Sequence, residues 1–188
     1  MTPTNPHIEV LLEQCKSGDQ RAQMDVYNSY YKAMYNTSFR IVKDSFKAED
    51  IMQESFLTAF TKLETLKEYS MFGPWLKRIV INNSISEYQK NKKDNNVPLE
   101  NVIYKVEDDQ GVPEDYEWTN IKAAQIVKCM KSLKENYQIA LTLFLIEGYD
   151  YEEIGEIMNI SYANCRTMIS RAKDSLRQKL KPLVDFKK

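Results

Sequence analysis

Six residues crowd near the C-terminal end of the chain: Asn164, Arg166, Thr167, Ser170, Arg171 and Lys173. Arginine and asparagine carry paired hydrogen-bonding groups that match the edges of guanine and adenine in the major groove. On a helix, Asn164, Thr167, Arg171 and Asp174 share one face, and Arg166 and Ser170 border it. The chemistry on offer is recognition of nucleic acid. Another polar constellation lies earlier, where Asp50, Gln53 and Glu54 form a cluster at the start of a helix. Acids in that place suit the helix dipole, so they also have a structural reason.

Catalytic chemistry finds little support. The single histidine, His7, stands near the N-terminus, which removes histidine-based acid–base work, Ser-His-Asp triads and histidine-rich metal sites. No glycine-rich phosphate cradle occurs. Cys15, Cys129 and Cys165 are odd in number and widely spaced, which argues against a disulfide framework or a zinc site and for reduced, mostly buried thiols. The sequence therefore predicts no enzyme, cofactor, metal or small-molecule substrate. It contains no run of about 18 apolar residues, and MTPTNPHIEV has no signal-peptide pattern. A cytoplasmic protein without a membrane span is expected.

A net charge of −1 looks wrong for a DNA-binding chain. The distribution removes the difficulty. Residues 1–93 carry a net +2, residues 94–118 a net −7, and residues 119–188 a net +4. Within 76–93, Lys77, Arg78, Lys90, Lys92 and Lys93 face only Glu87. Within 161–181, Arg166, Arg171, Lys173, Arg177, Lys179 and Lys181 face only Asp174. Phosphate contacts respond to local cations rather than to the total.

These residues need elements to hold them. Glycine and proline are scarce, at 5 and 6, so helices are favoured over strands and turns. The acidic stretch 94–117, with Pro98, Gly111 and Pro113, reads as a linker between an 8–93 domain and a 118–182 domain. In the first, a short helix from about 10 stops near Gly18, Asp19 caps a helix over 20–43, and Asp44 or Ser45 caps one over 46–65. A fourth spans 74–92, with Pro74 in its first turn and Trp75 and Ile79 inward. Tyr27, Tyr31, Tyr35 and Phe39 recur at every fourth position and read as a core seam. Asn82, Asn83 and Ser86 lie in mid-helix, where propensity does not explain them.

In the second domain, helices over 118–133 and 136–147 precede a helix-turn-helix over 151–158 and 162–180. Asn159 suits a left-handed turn residue and Ser161 an N-cap. Cys165, Ile169, Ala172, Leu176 and Leu180 form the buried seam. The fold class is thus all-α, with two small helical domains joined by an acidic linker.

Two separated stretches carry a family resemblance. AEDIMQESFLTAF (48–60) with FGPWLKRIVINNSISEYQKNKK (72–93) resembles region 2 of bacterial RNA polymerase sigma factors, and YEEIGEIMNISYANCRTMISRAKDSL (151–176) resembles their region 4. Their order and spacing resemble the small extracytoplasmic-function type over about 10–181. The resemblance implies an alternative sigma factor that binds core RNA polymerase and promoter DNA, and it also implies an anti-sigma partner. Asp50, Gln53 and Glu54 match the family's D-x-x-Q-E surface for the polymerase coiled coil. Asn82, Ser86, Lys90, Lys92 and Lys93, with Lys77 and Arg78, match the helix that contacts the −10 element. Tyr69, Ser70, Met71 and Phe72 match the loop that captures an extruded base, and Trp75 matches a buried tryptophan. Ser161, Tyr162, Asn164, Arg166, Thr167, Ser170, Arg171 and Lys173 match the −35 reader, and the acidic linker matches a connector through the polymerase channels.

The chain departs from the family pattern at Leu133-Lys134-Glu135 and at Ala163-Asn164-Cys165-Arg166-Thr167-Met168, where Met168 replaces a commonly basic residue. Two other readings stay open at this point. One is a stand-alone helix-turn-helix activator. The other is a sigma mimic that sequesters an anti-sigma factor.

Overall fold

Asp19 sits in extended conformation, and its carboxylate accepts hydrogen bonds from the backbone N–H groups of Arg21 at 2.8 Å and Ala22 at 3.2 Å. That cap satisfies otherwise orphaned donors and starts a long helix. The computed structural model describes the backbone of residues 6–94 and 117–185, and side chains over 8–91, 123 and 125–182. The linker interior and the side chains of His7, Lys92 and Lys93 lie outside the described residues. The chain divides into two units, Met1–Asn96 and Val97–Lys188. Among the described residues every regular element is helical.

In the first unit, α1 (Pro6–Lys16) ends at Gly18, whose φ of +84° needs a residue without Cβ strain. Helix α2 (Gln20–Val42) ends at Lys43 in the left-handed conformation. Asp44 then caps α3 (Ser45–Thr61), accepting from the Lys47 N–H at 3.0 Å. Helix α3 stops four residues short of the expected 65, because Leu63–Thr65 tighten into a separate 3₁₀ turn that drives Leu63 into the core. A second 3₁₀ turn, Tyr69–Met71, leads into α4 (Phe72–Asp94). That helix starts two residues before Pro74, which stays in the first turn, where its missing N–H costs nothing.

Leu12 of α1, Val26 of α2, Phe56 of α3 and Phe72, Leu76 and Val80 of α4 are buried together in one core cluster. Burying side chains of this size contributes about 1.5–3 kcal/mol each. Trp75 is partly buried against this cluster, with its ring 6.0 Å from that of Phe72. The aromatic seam of α2 needs correcting. Ala22, Val26, Met34, Thr37, Ser38 and Ile41 make the buried face, while Tyr31 is exposed. The tyrosines flank the core as stacked pairs, Tyr27 on Tyr31 and Tyr35 on Phe39, with centroids 5.8 and 5.9 Å apart.

In the second unit, α5 (Glu117–Lys131) and α6 (Glu135–Leu141) meet at a tight turn. The amide of buried Gln138 donates to the Lys131 carbonyl at 3.0 Å and also to that of Leu133. The expected regular helix to 147 instead widens into a π-helical turn over Thr142–Ile146, where the Glu147 N–H reaches back to the Thr142 carbonyl at 3.0 Å. Helix α7 (Tyr151–Met158) opens with a capping box: Asp150 accepts from the Glu153 N–H and Glu153 from the Asp150 N–H, each at 2.9 Å. Asn159 takes the left-handed conformation, φ 54° and ψ 51°. The turn then enters α8 (Tyr162–Asp185), with the Asn164 N–H 3.3 Å from the Ser161 hydroxyl oxygen. Cys165, Ile169, Ala172 and Leu176 are buried, which fixes which face of α8 looks out.

Candidate functional site

The buried seam of α8 leaves Asn164, Arg166, Thr167, Ser170 and Arg171 exposed over its first three turns. Tyr162, Ala163, Arg166, Thr167, Ser170 and Arg171 line one shallow groove. The Thr167 hydroxyl is turned back, donating to the Ala163 carbonyl at 2.9 Å. Its oxygen can still accept a hydrogen bond, and its methyl is free for apolar contact. Lys173 is placed differently from the rest, since its ammonium lies 3.8 Å from the centroid of the Phe144 ring. Phe144 stacks on Tyr151 at 5.3 Å, and Tyr151 meets Tyr162 edge-on at 6.2 Å. Phe144 and Tyr151, which the sequence reading did not single out, thus tie the π turn and α7 to the start of α8. No local pattern could have shown it, because the π turn creates the stack.

In the first unit α3 presents Asp50, Gln53 and Glu54 to solvent, while Ile51, Met52, Ser55 and Phe56 face the core. The Gln53 amide donates to Glu49 at 3.3 Å. The same outward face carries Phe46 at 81% and Leu57 at 69% exposure. Both were missed in the sequence, although their spacing to Asp50 and Glu54, at i±4 and i+3, is the signal that would have found them. An outward Phe beside a polar cluster, with Leu57 at its other end, suits a protein partner, because aromatic residues are enriched in such contacts.

Helix α4 carries two polar stripes side by side. Asn82, Ser86 and Lys90 are exposed, and the Ser86 hydroxyl donates to the Asn82 carbonyl at 2.9 Å. One residue on, Asn83, Glu87 and Asn91 face α3. Asn83 donates to the Ser55 hydroxyl at 3.0 Å, and Lys47 donates to Glu87 at 3.0 Å and to Asn91 at 2.7 Å. The Lys47 hydrogen bond holds the Glu87 carboxyl below the usual range. Lys77 and Arg78 are half-buried at the start of α4.

The Tyr69–Met71 turn leans on α1. The Tyr69 hydroxyl donates to the Glu13 carboxylate, and the Lys16 ammonium lies 4.9 Å from the Tyr69 ring centroid. Glu9, Lys16, Leu66, Lys67, Glu68, Tyr69 and Ser70 line a polar depression there. Ser70 and Met71 are exposed. Phe72 is not part of that surface: it is fully buried, edge-on to Tyr30 at 5.4 Å, because α4 begins at this residue and turns the ring into the core. Each set is presented on its own helix face, those of α3 and α4 in the first unit and that of α8 in the second.

Two family models match separate stretches of the chain. The family model for sigma-70 region 2 matches residues 26–94, and that for sigma-70 region 4 matches residues 123–176. The chain is 30% identical over 187 residues to the ECF RNA polymerase sigma factor SigW of Bacillus subtilis (strain 168), covering 94% of this chain and 98% of that protein. It is 31% identical over 161 residues to SigM of the same organism, covering 86% and 94%. Among solved structures, the sigma factor RpoE in complex with the anti-sigma factor NepR from Bartonella quintana shares the fold, with a TM-score of 0.57 at 21% identity, over 84% of this chain and 96% of that one.

Proposed function

Since the chain belongs to the extracytoplasmic-function type of sigma-70 factors, and is an alternative sigma factor for transcription initiation rather than an enzyme, we propose which faces do which part of the work. The outward face of α3, with Asp50, Gln53 and Glu54, binds core RNA polymerase. The outer stripe of α4, with Asn82, Ser86 and Lys90, contacts the −10 element, and Lys92 and Lys93 extend it. Lys77 and Arg78 supply cations at the other end of the helix. The Tyr69–Met71 turn receives an extruded base of the non-template strand. Opening that strand costs a few kcal/mol of unstacking, which an aromatic platform offsets.

The exposed residues of α8 read the −35 element in the major groove, with Ser161 capping the helix that carries them. Lys173, held over the Phe144 ring, keeps N–H donors directed away from it for a phosphate of the −35 element. The domain limits follow the same reading: 8–93 for core and −10 binding, 94–117 as the acidic connector, 118–182 for −35 binding. The protein works in the cytoplasm, where the polymerase works, and an anti-sigma protein that covers these faces holds it inactive.

The observation that carries this reading is the separation of exposed polar faces from buried apolar ones on α3, α4 and α8. The test uses reconstituted holoenzyme. Asp50→Ala with Glu54→Ala is expected to weaken core binding, whereas Arg171→Ala leaves core binding intact and weakens the dependence of transcription on the −35 sequence. Equal behaviour of the two variants in both assays would refute the assignment.

A further inference from the structure

Helix α4 faces two ways at once, and its roll about its own axis decides which side chains point outward. Successive residues on a helix are separated by about 100°. The stripe Asn83, Glu87 and Asn91 is therefore rotated by that angle from the stripe Asn82, Ser86 and Lys90. The first stripe is bonded across to α3 and the second is exposed. The buried Phe72, Leu76, Val80 and Ile81 set which face of α4 looks inward, but apolar attraction itself has no preferred direction with which to fine-tune the roll. Hydrogen bonds have one.

We propose that Lys47, Glu87 and Asn91, with Ser55 and Asn83, form a polar lock that fixes the roll of α4 on α3 and so positions the −10-reading stripe relative to the polymerase-binding face. The proposal rests on the assignment of Asn82 and Ser86 to the −10 element. Lys47 is suited to this role by where it stands. It lies three residues before Asp50, on the first turn of α3, and sends its ammonium to two acceptors 40 and 44 residues away in the chain. Asn91 closes the triangle by donating to Glu87 at 3.2 Å. At the other end Ser55, next to Glu54, receives Asn83. The buried Ser38 and Ser84 hydroxyls, 3.0 Å apart, join the neighbouring face of α4 to α2.

The Lys47–Glu87 pair is partly exposed, at 40% and 28%. Such pairs add little to stability. Their worth here is angular, so removal should disturb promoter opening more than folding.

Full-length variants are reconstituted with core polymerase on a promoter that the wild-type holoenzyme transcribes. Strand opening is followed by permanganate reactivity of the −10 thymines, alongside core affinity and the effect of single-base changes in the −10 element. Lys47→Met should slow opening about 10-fold and flatten the −10 base preference, the scale on which a misplaced base contact is felt, with core affinity unchanged. The exchange Lys47→Glu with Glu87→Lys should recover most of the loss, and Asn91→Ala, which removes no charge, should give a smaller effect of the same kind. Wild-type opening by Lys47→Met, while Asn82→Ala and Ser86→Ala are impaired, overturns the lock and leaves the −10 assignment standing. Wild-type opening by Asn82→Ala and Ser86→Ala overturns the assignment and the lock with it. A loss of core affinity in Lys47→Met as large as its loss of opening also overturns the lock, since Lys47 would then act at the polymerase directly.

Discussion

Gly155 lies inside α7 against the turn that follows it, and a Cβ there would lie 3.0 Å from the backbone carbonyl oxygen of Ile160. That oxygen belongs to the turn itself, and the Ile160 N–H is held by the Gly155 carbonyl at 2.9 Å. Neither atom can retreat without opening the turn. Gly155→Ala should therefore destabilise the second unit by about 1–3 kcal/mol, read by urea unfolding, and should weaken −35 dependence while core binding through α3 persists. The thiols give a second test at this scale. Burial, and then the Asp19 carboxylate, push the Cys15 thiol up to about 11 from an ordinary 9.0, and burial followed by the Asp150 charge raises Cys165. Cys129 is half-buried on the rim of its core cluster. A thiol reagent at pH 8 should label Cys129 first, with Cys15 and Cys165 reacting only after denaturation. The sign follows from the shift: the folded state holds the Cys15 proton more tightly. This contribution to stability is complete below 9.0 and is lost as pH rises towards about 11. Simultaneous labelling of all three thiols would contradict the packing. Burial of Cys15 was legible from its type and that of Cys165 also from its register, whereas the crowding at Gly155 was not, because it depends on a turn closing in space.

The helices themselves were largely legible because their ends are written locally. Asp19, Asp44, Asn159 and Ser161 act within three or four residues of where they stand. The phase of α2 was misread because a four-residue step on a 3.6-residue helix drifts about 40° each time, so Tyr27, Tyr31, Tyr35 and Phe39 cannot stay on one buried face. The π turn after α6 and the links between α3 and α4 were invisible for another reason. Their partners meet only in the folded unit, as with Asn83 and Ser55, 28 residues apart. The exposed face of α3 carries the prediction that belongs to this scale. Phe46 and Leu57 are more exposed than large apolar side chains usually are, at 81% and 69%, and they bracket the proposed polymerase-binding residues. Phe46→Ser with Leu57→Ser should leave thermal unfolding of the free protein unchanged, since neither ring nor branch is buried there. It should weaken core binding by about 10-fold or more, as loss of interface anchors does. A fall in unfolding temperature with core binding unaltered would place both residues in the fold rather than at the interface.

At the scale of the whole molecule the charge division matters most. Each unit is only weakly basic, at +2 over residues 1–93 and +4 over residues 119–188, and the −7 between them opposes DNA. Few phosphate contacts mean weak, salt-sensitive binding by the free chain. Two weak readers become an effective pair only when something holds both at the right separation, because the second contact is then intramolecular. In the proposed reading the polymerase supplies that restraint. The consequence is a dependence on promoter geometry that appears only with core present. Inserting about 5 base pairs between the −35 and −10 elements turns one by half a helical repeat relative to the other. For the holoenzyme this insertion should abolish specific transcription, and restoring a full turn should not fully rescue it, because the span has also grown by about 34 Å. For the free chain the same insertion should leave the weak binding unchanged, as measured by fluorescence anisotropy at low salt. If the free chain proves as sensitive to spacing as the holoenzyme, the two units are already aligned without polymerase.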